Sequence, residues 1–169
     1  MEARIFLIGF MGSGKSTQGA KLARRIGYRY VDMDQLIAET AEMSIPSIFN
    51  EHGEEVFRKW EHDILQELFL RDKLVIATGG GAPCHSHLMD LMNAHGITLY
   101  IKLSPESLRD RLIRSRTERP LIKGKSESEL LEFISTLLLK REVFYKRATH
   151  IVDGINLQTE ALARLLQDS

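Results

Sequence analysis

The sequence predicts an α/β protein with three layers, α/β/α, in which helices cover both faces of a central parallel sheet of five strands. Three observations lead to this fold class. Short apolar runs alternate along the chain with segments of helical periodicity. The first apolar run leads directly into a glycine-rich phosphate-binding pattern. The 169 residues show no internal repeat and no Pro/Gly/Ser-rich linker, so we expect one domain over residues 1–169.

The first strand and the loop after it carry the most specific pattern in the chain. Ile5–Ile8 is an apolar run typical of a buried parallel strand, and residues 9–16 complete the pattern G-x-x-x-x-G-K-[ST]. The glycines let backbone N–H groups turn toward a phosphate. Lys15 supplies a positive charge for the β- and γ-phosphates, and the Ser16 hydroxyl is placed to bind Mg²⁺. A helix follows Thr17, so its positive N-terminal end faces the same anion. We therefore predict a site for a nucleoside triphosphate.

The second predicted strand, residues 28–31, leads into Asp32 and Asp34. If the extended geometry continues, the two carboxylates point to the same side of the chain. One can then hold the Mg²⁺ shell while the other orients an attacking hydroxyl. The alternative is a helix N-cap, because Asp34 directly precedes a helical segment. Capping accounts for one aspartate but not for both, so we favour the functional pair.

The longest helical stretch covers residues 44–71, with Pro46 in its first turn and Gly53 dividing it into two helices. Arg58 and Glu61 lie three residues apart within this stretch, close enough to interact on one helix face. A pair of this kind is ordinarily an exposed ion pair of small energetic consequence. Periodicity alone gives no reason to assign this pair any other role.

The third predicted strand, residues 73–77, is followed by Gly79, Gly80 and Gly81. Three successive glycines cost conformational entropy, and at the carboxyl end of a parallel strand they suggest a close approach of the backbone to a ligand. A tight turn is the alternative, although one glycine normally suffices for a turn. The triplet is therefore a second candidate ligand contact.

The remaining strands, residues 97–101 and 150–152, alternate with four helical segments, which cover residues 85–95, 105–115, 126–147 and 157–167. Residues 115–125 hold four basic residues and one acidic residue in a chain of zero net charge. A solvated loop is the simpler explanation. Because a phosphate-binding loop is already predicted, we favour a mobile lid whose arginines close over phosphates. This lid and the helical stretch over residues 34–70 are predicted insertions on one core.

The overall composition argues against several classes of protein. The 23 basic residues balance the 23 acidic residues, which argues against nucleic-acid or membrane-surface binding. The single cysteine, Cys84, excludes an intramolecular disulfide, and the Cys and His spacing does not match a zinc site. No stretch resembles a signal peptide or reaches the roughly 18 apolar residues of a membrane span. We expect a cytoplasmic protein with no nucleic-acid or membrane partner.

Taken in order, the motifs GFMGSGKST, VDMD, FRKWE, GGG, RPL and KREVFY resemble those of the shikimate kinase family, within the nucleoside-monophosphate-kinase-like P-loop fold. The likeness covers nearly the whole chain. It implies ATP-dependent phosphorylation of the 3-hydroxyl of shikimate, on the route to chorismate and the aromatic amino acids, with Mg²⁺ as cofactor. It also implies shikimate and ATP as the small-molecule partners, and we expect a monomer.

The resemblance further implies a role for each matching residue. The residues expected to carry catalysis are Lys15, Asp34 and Arg119. Those expected to bind ATP are Gly12, Ser13, Gly14, Lys15, Ser16, Thr17, Arg114 and Arg119. Those expected to bind shikimate are Asp34, Arg58, Gly79, Gly80, Gly81 and Arg141. Mg²⁺ is expected at Ser16 and Asp32. Glu61 is expected to brace Arg58. An apolar wall around shikimate is expected from Ile45, Phe49, Phe57, Pro120 and Leu121.

Some alternatives stay open at this point. Arg111, Arg114 and Arg116 all compete for the place against adenine, and Arg114 is our prediction. The loop at residues 152–154 matches the adenine loop of the family only loosely. A gluconate kinase or a nucleoside monophosphate kinase of the same fold is the nearest rival enzyme, although the three glycines and the two carboxylate-binding arginines argue against both. A nucleotide-dependent binding module without catalysis is the rival from another class.

Overall fold

The fold was obtained as a computed structural model, which describes residues 4–117 and 119–167. At its centre is a sheet of five strands, all paired in parallel. The strands are β1 (Ile5–Ile8), β2 (Arg29–Asp32), β3 (Leu74–Ala77), β4 (Ile97–Lys102) and β5 (His150–Asp153). Their order across the sheet is β2-β3-β1-β4-β5. The predicted five-stranded parallel sheet is thus confirmed.

Within the described residues, seven α-helices connect and cover these strands. They are α1 (Lys15–Ile26), α2 (Met33–Ala41), α3 (Ile45–Leu68), α4 (Leu88–His95), α5 (Pro105–Arg114), α6 (Glu127–Tyr145) and α7 (Thr159–Gln167). Two short 3₁₀ turns, Ala82–Cys84 and Pro120–Ile122, lie after β3 and before α6. Among the helices of the described part, none is both long enough and apolar enough to cross a membrane.

The two faces of the sheet are covered by separate apolar cores, as three layers require. Alternate side chains of β1 supply both of them: Phe6 and Ile8 belong to the larger core, and Ile5 and Leu7 to the smaller. The smaller core also contains residues of α1 and α7, and the larger contains residues of α2 through α6. Because both faces of β1 are buried, the strand reads as an unbroken apolar run rather than an alternating one.

The link between β2 and α2 differs from the sequence prediction. The extended geometry ends at Asp32, and α2 begins at Met33, so Asp34 lies in the first turn of a helix rather than at the end of a strand. Asp32 is also the N-cap, since its carboxylate accepts a hydrogen bond of 3.1 Å from the Gln35 amide. The suggestion that Asp34 caps this helix was therefore wrong.

The predicted division of the long helical stretch at Gly53 is confirmed. Gly53 has φ 81° and ψ 171° within α3, so the helix is kinked there. The shorter half, residues 45–52, begins after Ser44, whose side chain caps the Ser47 amide. The longer half, residues 54–68, carries Arg58 and Glu61. The kink lets one insertion present two separate surfaces beside the sheet.

The topology brings the loops after β1, β2 and β3 to one edge of the sheet. These three strands are neighbours and parallel, so their carboxyl ends lie side by side. In open α/β sheets, ligands bind outside this edge. The phosphate-loop residues, the two aspartates and the three glycines are therefore placed around one crevice.

Candidate active site

The glycine-rich loop after β1 has the backbone geometry that its sequence predicts. Gly9, Gly12 and Gly14 have φ values of +154°, +78° and +98°, all in the region that favours glycine. A Cβ atom on Gly12 would also stand 2.9 Å from Cδ2 of Leu112 in α5. The loop therefore packs tightly against α5 before the chain enters α1 at Lys15.

Lys15 is folded back over this loop. Its Nζ donates hydrogen bonds to the carbonyl oxygens of Gly9, at 2.7 Å, and Phe10, at 2.9 Å. Desolvation by burial lowers the pKa of Lys15 to about 8, although nearby Asp34 acts in the opposite direction. A desolvated ammonium group gains more from an approaching phosphate than a hydrated one would.

Ser16 and Asp32 form a compact set of oxygen ligands at the start of α1. The Ser16 hydroxyl donates to Oδ2 of Asp32 at 3.2 Å, and the Tyr30 hydroxyl lies 3.5 Å from the same oxygen. Hydroxyl and carboxylate oxygens suit Mg²⁺, which takes only one or two protein ligands when phosphates complete its shell. The two predicted metal residues therefore fit the ion chemically. Sequence reasoning missed Tyr30, because a tyrosine inside a strand gives no sign that its hydroxyl reaches a carboxylate.

Asp34 reaches the same crevice from the first turn of α2. Its Oδ1 is 2.8 Å from the point where a Cβ atom on Gly79 would stand. Desolvation by the surrounding protein and the charge of Asp32 raise the pKa of Asp34, while Lys15, Arg58 and Arg119 oppose the increase. The two aspartates thus lie close enough for the charge of Asp32 to act on Asp34, but the turn into α2 brings them together rather than the continued strand that the sequence predicts.

The Arg58–Glu61 pair is buried rather than solvated. Nη1 of Arg58 donates to Oε2 of Glu61 at 2.8 Å, and the Glu61 side chain is only 1% exposed. Burial raises the pKa of Glu61 to about 6 even though Arg58 lowers it. The Arg58 guanidinium also lies 5.1 Å from the centre of the Phe57 ring. The contact implied by the resemblance is therefore present, and burial is what distinguishes it from a surface bridge.

The three glycines after β3 make room for three side chains. A Cβ atom would stand 2.8 Å from Asp34 at Gly79, 3.1 Å from Arg141 at Gly80 and 2.7 Å from Arg58 at Gly81. The sequence suggested a close approach of the backbone to a ligand. The structure shows that polar side chains of this chain lie close to the backbone of these glycines. The triplet therefore gathers Asp34, Arg58 and Arg141 around one short loop.

Arg141 reaches the loop from α6 between two aromatic residues. Its guanidinium carbon lies 5.7 Å from the centre of the Phe10 ring. One helical turn later, the Tyr145 hydroxyl donates to the Gly80 carbonyl oxygen at 2.5 Å. Sequence reasoning assigned no role to Tyr145. The spacing of four residues from Arg141, which places both on one helix face, was the available signal.

Arg119 begins the 3₁₀ turn Pro120–Ile122, inside the predicted lid. Its charge lies close enough to Lys15 and Asp34 to add to the lowering of the Lys15 pKa and to oppose the rise of the Asp34 pKa. The buried Nε of Arg119 has no hydrogen-bond partner within residues 4–117 and 119–167. Glu118, which was counted among the lid residues, lies outside the described residues. The charge of Arg119 thus acts on groups of the crevice, and closure of the lid over phosphates stays a prediction.

The residues expected to form the apolar wall are divided between the core and the surface. The rings of Phe49 and Phe57 pack at a centroid distance of 4.5 Å across the Gly53 kink. Phe57 is buried, and Ile45 packs against the larger core. Leu121 is 59% exposed, and the wall around shikimate stays a prediction.

A cavity of about 280 Å³ opens beside the phosphate loop, between α5 and the segment after β5. Arg111 closes one side of it, since Nη1 donates to the Ser13 carbonyl oxygen at 3.2 Å and Nη2 to that of Gly154 at 2.9 Å. The other side is formed by the following residues: Gly154, Asn156, Leu157 and Gln158. Arg114 and Arg116 are exposed and do not line this cavity. The cavity wall thus includes Gly154 of the predicted loop 152–154 and continues to Gln158, and Arg111 is the arginine that faces it.

Comparison with known proteins assigns the chain to a family. The sequence model of the family described as shikimate kinase matches residues 11–168. A shikimate kinase from Azobacteroides pseudotrichonymphae is 47% identical over 147 residues, which are 86% of each chain. The chain belongs to the shikimate kinase family. The predicted family and enzyme class are therefore confirmed.

Solved structures of shikimate kinases have the same fold. The protein from Bacteroides thetaiotaomicron has a TM-score of 0.92 and 38% identity, with 98% of this chain and 97% of that chain covered. A shikimate kinase from Acinetobacter baumannii, solved in complex with shikimate, has a TM-score of 0.84 and 31% identity over 99% and 94% of the two chains. A gluconokinase from Sinorhizobium meliloti, with a TM-score of 0.57 and 17% identity, shares the fold alone.

Membership of the shikimate kinase family confirms the reaction that the resemblance implies. This reaction is ATP-dependent phosphorylation of the 3-hydroxyl of shikimate, giving shikimate 3-phosphate and ADP. The likeness to the gluconokinase, at 17% identity, extends to the fold only.

Proposed function

We propose that this chain phosphorylates shikimate in the crevice bounded by the phosphate loop, α3, the three glycines and the lid. The proposal takes residues 1–169 as one domain that works as a cytoplasmic monomer, with residues 34–70 as the substrate insertion and 115–125 as the lid. One observation carries it. Asp34, Arg58 and Arg141 converge on three successive glycines, and Asp34 and Lys15 influence one another's pKa.

The two arginines are suited to the carboxylate of shikimate. Guanidinium groups bind a planar carboxylate through paired N–H donors, which an ammonium group does not offer. Arg58 is held by buried Glu61, and Arg141 by the Phe10 ring. Both guanidinium groups are therefore in place before substrate binds, so less conformational entropy is lost on binding.

Asp34 is suited to the 3-hydroxyl. Its raised pKa makes the carboxylate a better proton acceptor than a solvated aspartate, and it lies in a crevice that also contains Lys15. In this proposal Asp34 orients the hydroxyl for in-line attack and receives its proton. Lys15 and Arg119 then stabilise the negative charge on the transferring phosphoryl group.

Mg²⁺ and ATP complete the proposed site. Ser16 and Asp32 would hold the ion, which neutralises charge on the β- and γ-phosphates when bound. The backbone N–H groups of residues 12–17 would surround the phosphates. Arg111, rather than Arg114, is the proposed adenine contact, because its guanidinium group closes the cavity beside the phosphate loop.

Coupled ADP release with Mg-ATP tests the proposal. Shikimate alone should stimulate release strongly, whereas gluconate, AMP and CMP should not. Shikimate methyl ester, which lacks the negative charge, should show a KM raised by at least about tenfold with the native protein. Arg58→Met should raise the KM for shikimate similarly and have a much smaller effect on the ester. Turnover with another acceptor, or equal KM values for acid and ester, would contradict the proposal.

A further inference from the structure

Tyr145 ends α6 with a side chain that is 0% exposed. Its hydroxyl donates to the Gly80 carbonyl oxygen at 2.5 Å, although the two residues are 65 positions apart in sequence. A buried hydroxyl needs a partner, but nothing about burial requires that partner to be the central glycine of the loop in the crevice. This bond ties the end of α6 directly to that loop.

The same hydroxyl lies beside Arg141. A Cβ atom on Gly80 would stand 3.1 Å from Nη1 of Arg141 and 3.6 Å from the Tyr145 hydroxyl oxygen, so both groups meet at one peptide. Burial raises the pKa of Tyr145, and a hydrogen bond with Arg141 opposes that increase. The phenol therefore contacts two of the groups assigned to shikimate, one on the loop and one on α6.

We infer that Tyr145 is a positioning residue for shikimate binding, which holds the Gly80 peptide and the Arg141 guanidinium in one fixed arrangement. The inference rests on the proposed function, since it takes Gly80 and Arg141 as shikimate contacts. In this inference Tyr145, which is buried, acts through the loop and the arginine rather than through a contact of its own with shikimate. Without its hydroxyl, the loop and the arginine can shift relative to each other, and both must be reordered when the carboxylate binds.

Tyr100 offers a matched control inside the same aromatic pair. Its ring lies 5.2 Å from that of Tyr145, and it is equally buried. Its hydroxyl, however, donates to Glu142 at 3.1 Å and contacts neither the glycine loop nor Arg141. Tyr100→Phe and Tyr145→Phe therefore remove the same chemical group from the same core, and only the second removes it from the site.

The test compares steady-state kinetics and thermal unfolding of the two variants. Tyr145→Phe should raise the KM for shikimate about tenfold, the effect of one lost hydrogen-bonded contact. The KM for ATP should stay within about twofold and kcat within about threefold of the native values, because no phosphate contact changes. Tyr100→Phe should lower Tm comparably and leave the KM for shikimate unchanged. An unchanged KM in Tyr145→Phe, or an equal rise in both variants, would overturn the inference.

Arg141→Met separates this inference from the proposed function. If Arg141→Met raises the KM for shikimate and Tyr145→Phe does not, only the positioning role fails. If Arg141→Met also leaves that KM unchanged, the assigned carboxylate site and the positioning role fail together. If both single variants raise it, the double variant should raise it by less than the product of the two effects.

A second measurement does not depend on the Tyr145 variant folding. Native protein labelled with 3-fluorotyrosine contains four fluorine probes, one for each tyrosine. Phenylalanine variants of the other three identify the Tyr145 resonance by elimination. Saturating shikimate should shift this resonance more than that of Tyr100, and the opposite order would overturn the inference.

Discussion

Gly81 lies directly against the guanidinium group of Arg58: a Cβ atom on Gly81 would stand 2.7 Å from Nη2 and 3.0 Å from Nη1. The obstructing atoms are the far end of a flexible side chain, so the backbone could accept a methyl group at little cost. The guanidinium, however, is fixed on its other side by Glu61 at 2.8 Å. A methyl group at residue 81 would therefore move the arginine rather than unfold the protein.

Gly81→Ala should raise the KM for shikimate about tenfold while changing Tm by less than about 2 °C. The physical reason is that Arg58 must leave the position that Glu61 enforces. Initial-rate kinetics with varied shikimate and calorimetric unfolding measure the two effects. Gly27→Ala is the converse control, since Gly27 has φ 74° at the end of α1 with nothing within 4 Å of its Cβ position. It should lower Tm through backbone strain and leave the KM unchanged, and the reverse pattern in the two variants would contradict this account.

Asp34→Asn should bind ATP normally but lower kcat at least about a hundredfold, because an amide cannot accept the hydroxyl proton. ATP affinity is measured by titration calorimetry and kcat by coupled ADP release. Asp32→Asn should instead increase the Mg²⁺ concentration needed for half-maximal nucleotide binding. Near-normal kcat in Asp34→Asn would remove Asp34 from the chemistry.

The KM for shikimate should rise as pH falls below about 6. Glu61 has a pKa of about 6 in the folded protein, so it is protonated and neutral below that pH. The ion pair that holds Arg58 is then lost. The same protonation affects folding stability in the opposite direction. A carboxyl group whose pKa is raised on folding stabilises the folded state as pH falls. A pH profile of KM measures the effect, and Glu61→Gln should abolish this step while keeping KM uniformly high. A profile that is identical in Glu61→Gln would reassign the step to another group.

ATP affinity should fall as pH rises above about 8, the pKa of Lys15 in the free protein. Bound phosphates stabilise the charged ammonium group and raise its pKa, so binding at higher pH requires proton uptake. The Kd should then increase by up to about tenfold per pH unit until the pKa of the complex is reached. Calorimetry in two buffers of different ionisation enthalpy, at pH 7 and pH 9, measures that uptake directly. Equal affinity at both pH values would show that Lys15 stays charged in the free protein.

Arg111→Ala should raise the KM for ATP about tenfold, whereas Arg114→Ala on the same helix should change it less than twofold. Arg111 joins Ser13 to Gly154 beside the cavity proposed for adenine, and Arg114 is exposed. Kinetics with ATP and with GTP measure the effect, and the loss should be smaller with GTP if the contact is to the adenine ring. An equal change of the KM for ATP in the two variants would show that neither arginine has a special contact with adenine.

Features fixed by short stretches of sequence could be predicted from them. The five strands, the phosphate loop and the Gly53 break depend on local hydrophobicity or backbone freedom, and each was located within a few residues. Features that depend on which other parts of the fold cover a side chain could not be predicted. The spacing of Arg58 and Glu61 is the same on a surface helix as in a buried one, and only the tertiary fold excludes water from Glu61.

The choice between Arg111 and Arg114 shows the same limit. Three residues of helix separate the two, and their faces differ by about 60°. Only the position of α5 against the phosphate loop decides which one lines the cavity beside that loop, and the adenine contact itself stays a prediction. The role of Asp32 as helix cap was likewise hidden, because either aspartate could begin a helix by composition.

The kink at Gly53 divides α3 into two parts with different contacts. Residues 45–52 carry Phe49, and residues 54–68 carry the arginine with its carboxylate partner. The hydrogen-bonded helix is interrupted between the two parts, and the rings of Phe49 and Phe57 join them across the break. In the proposed site, redesign of the enzyme for other carboxylic acids can therefore begin in residues 45–52 with Phe49 retained, because Arg58 and Glu61 lie beyond the break.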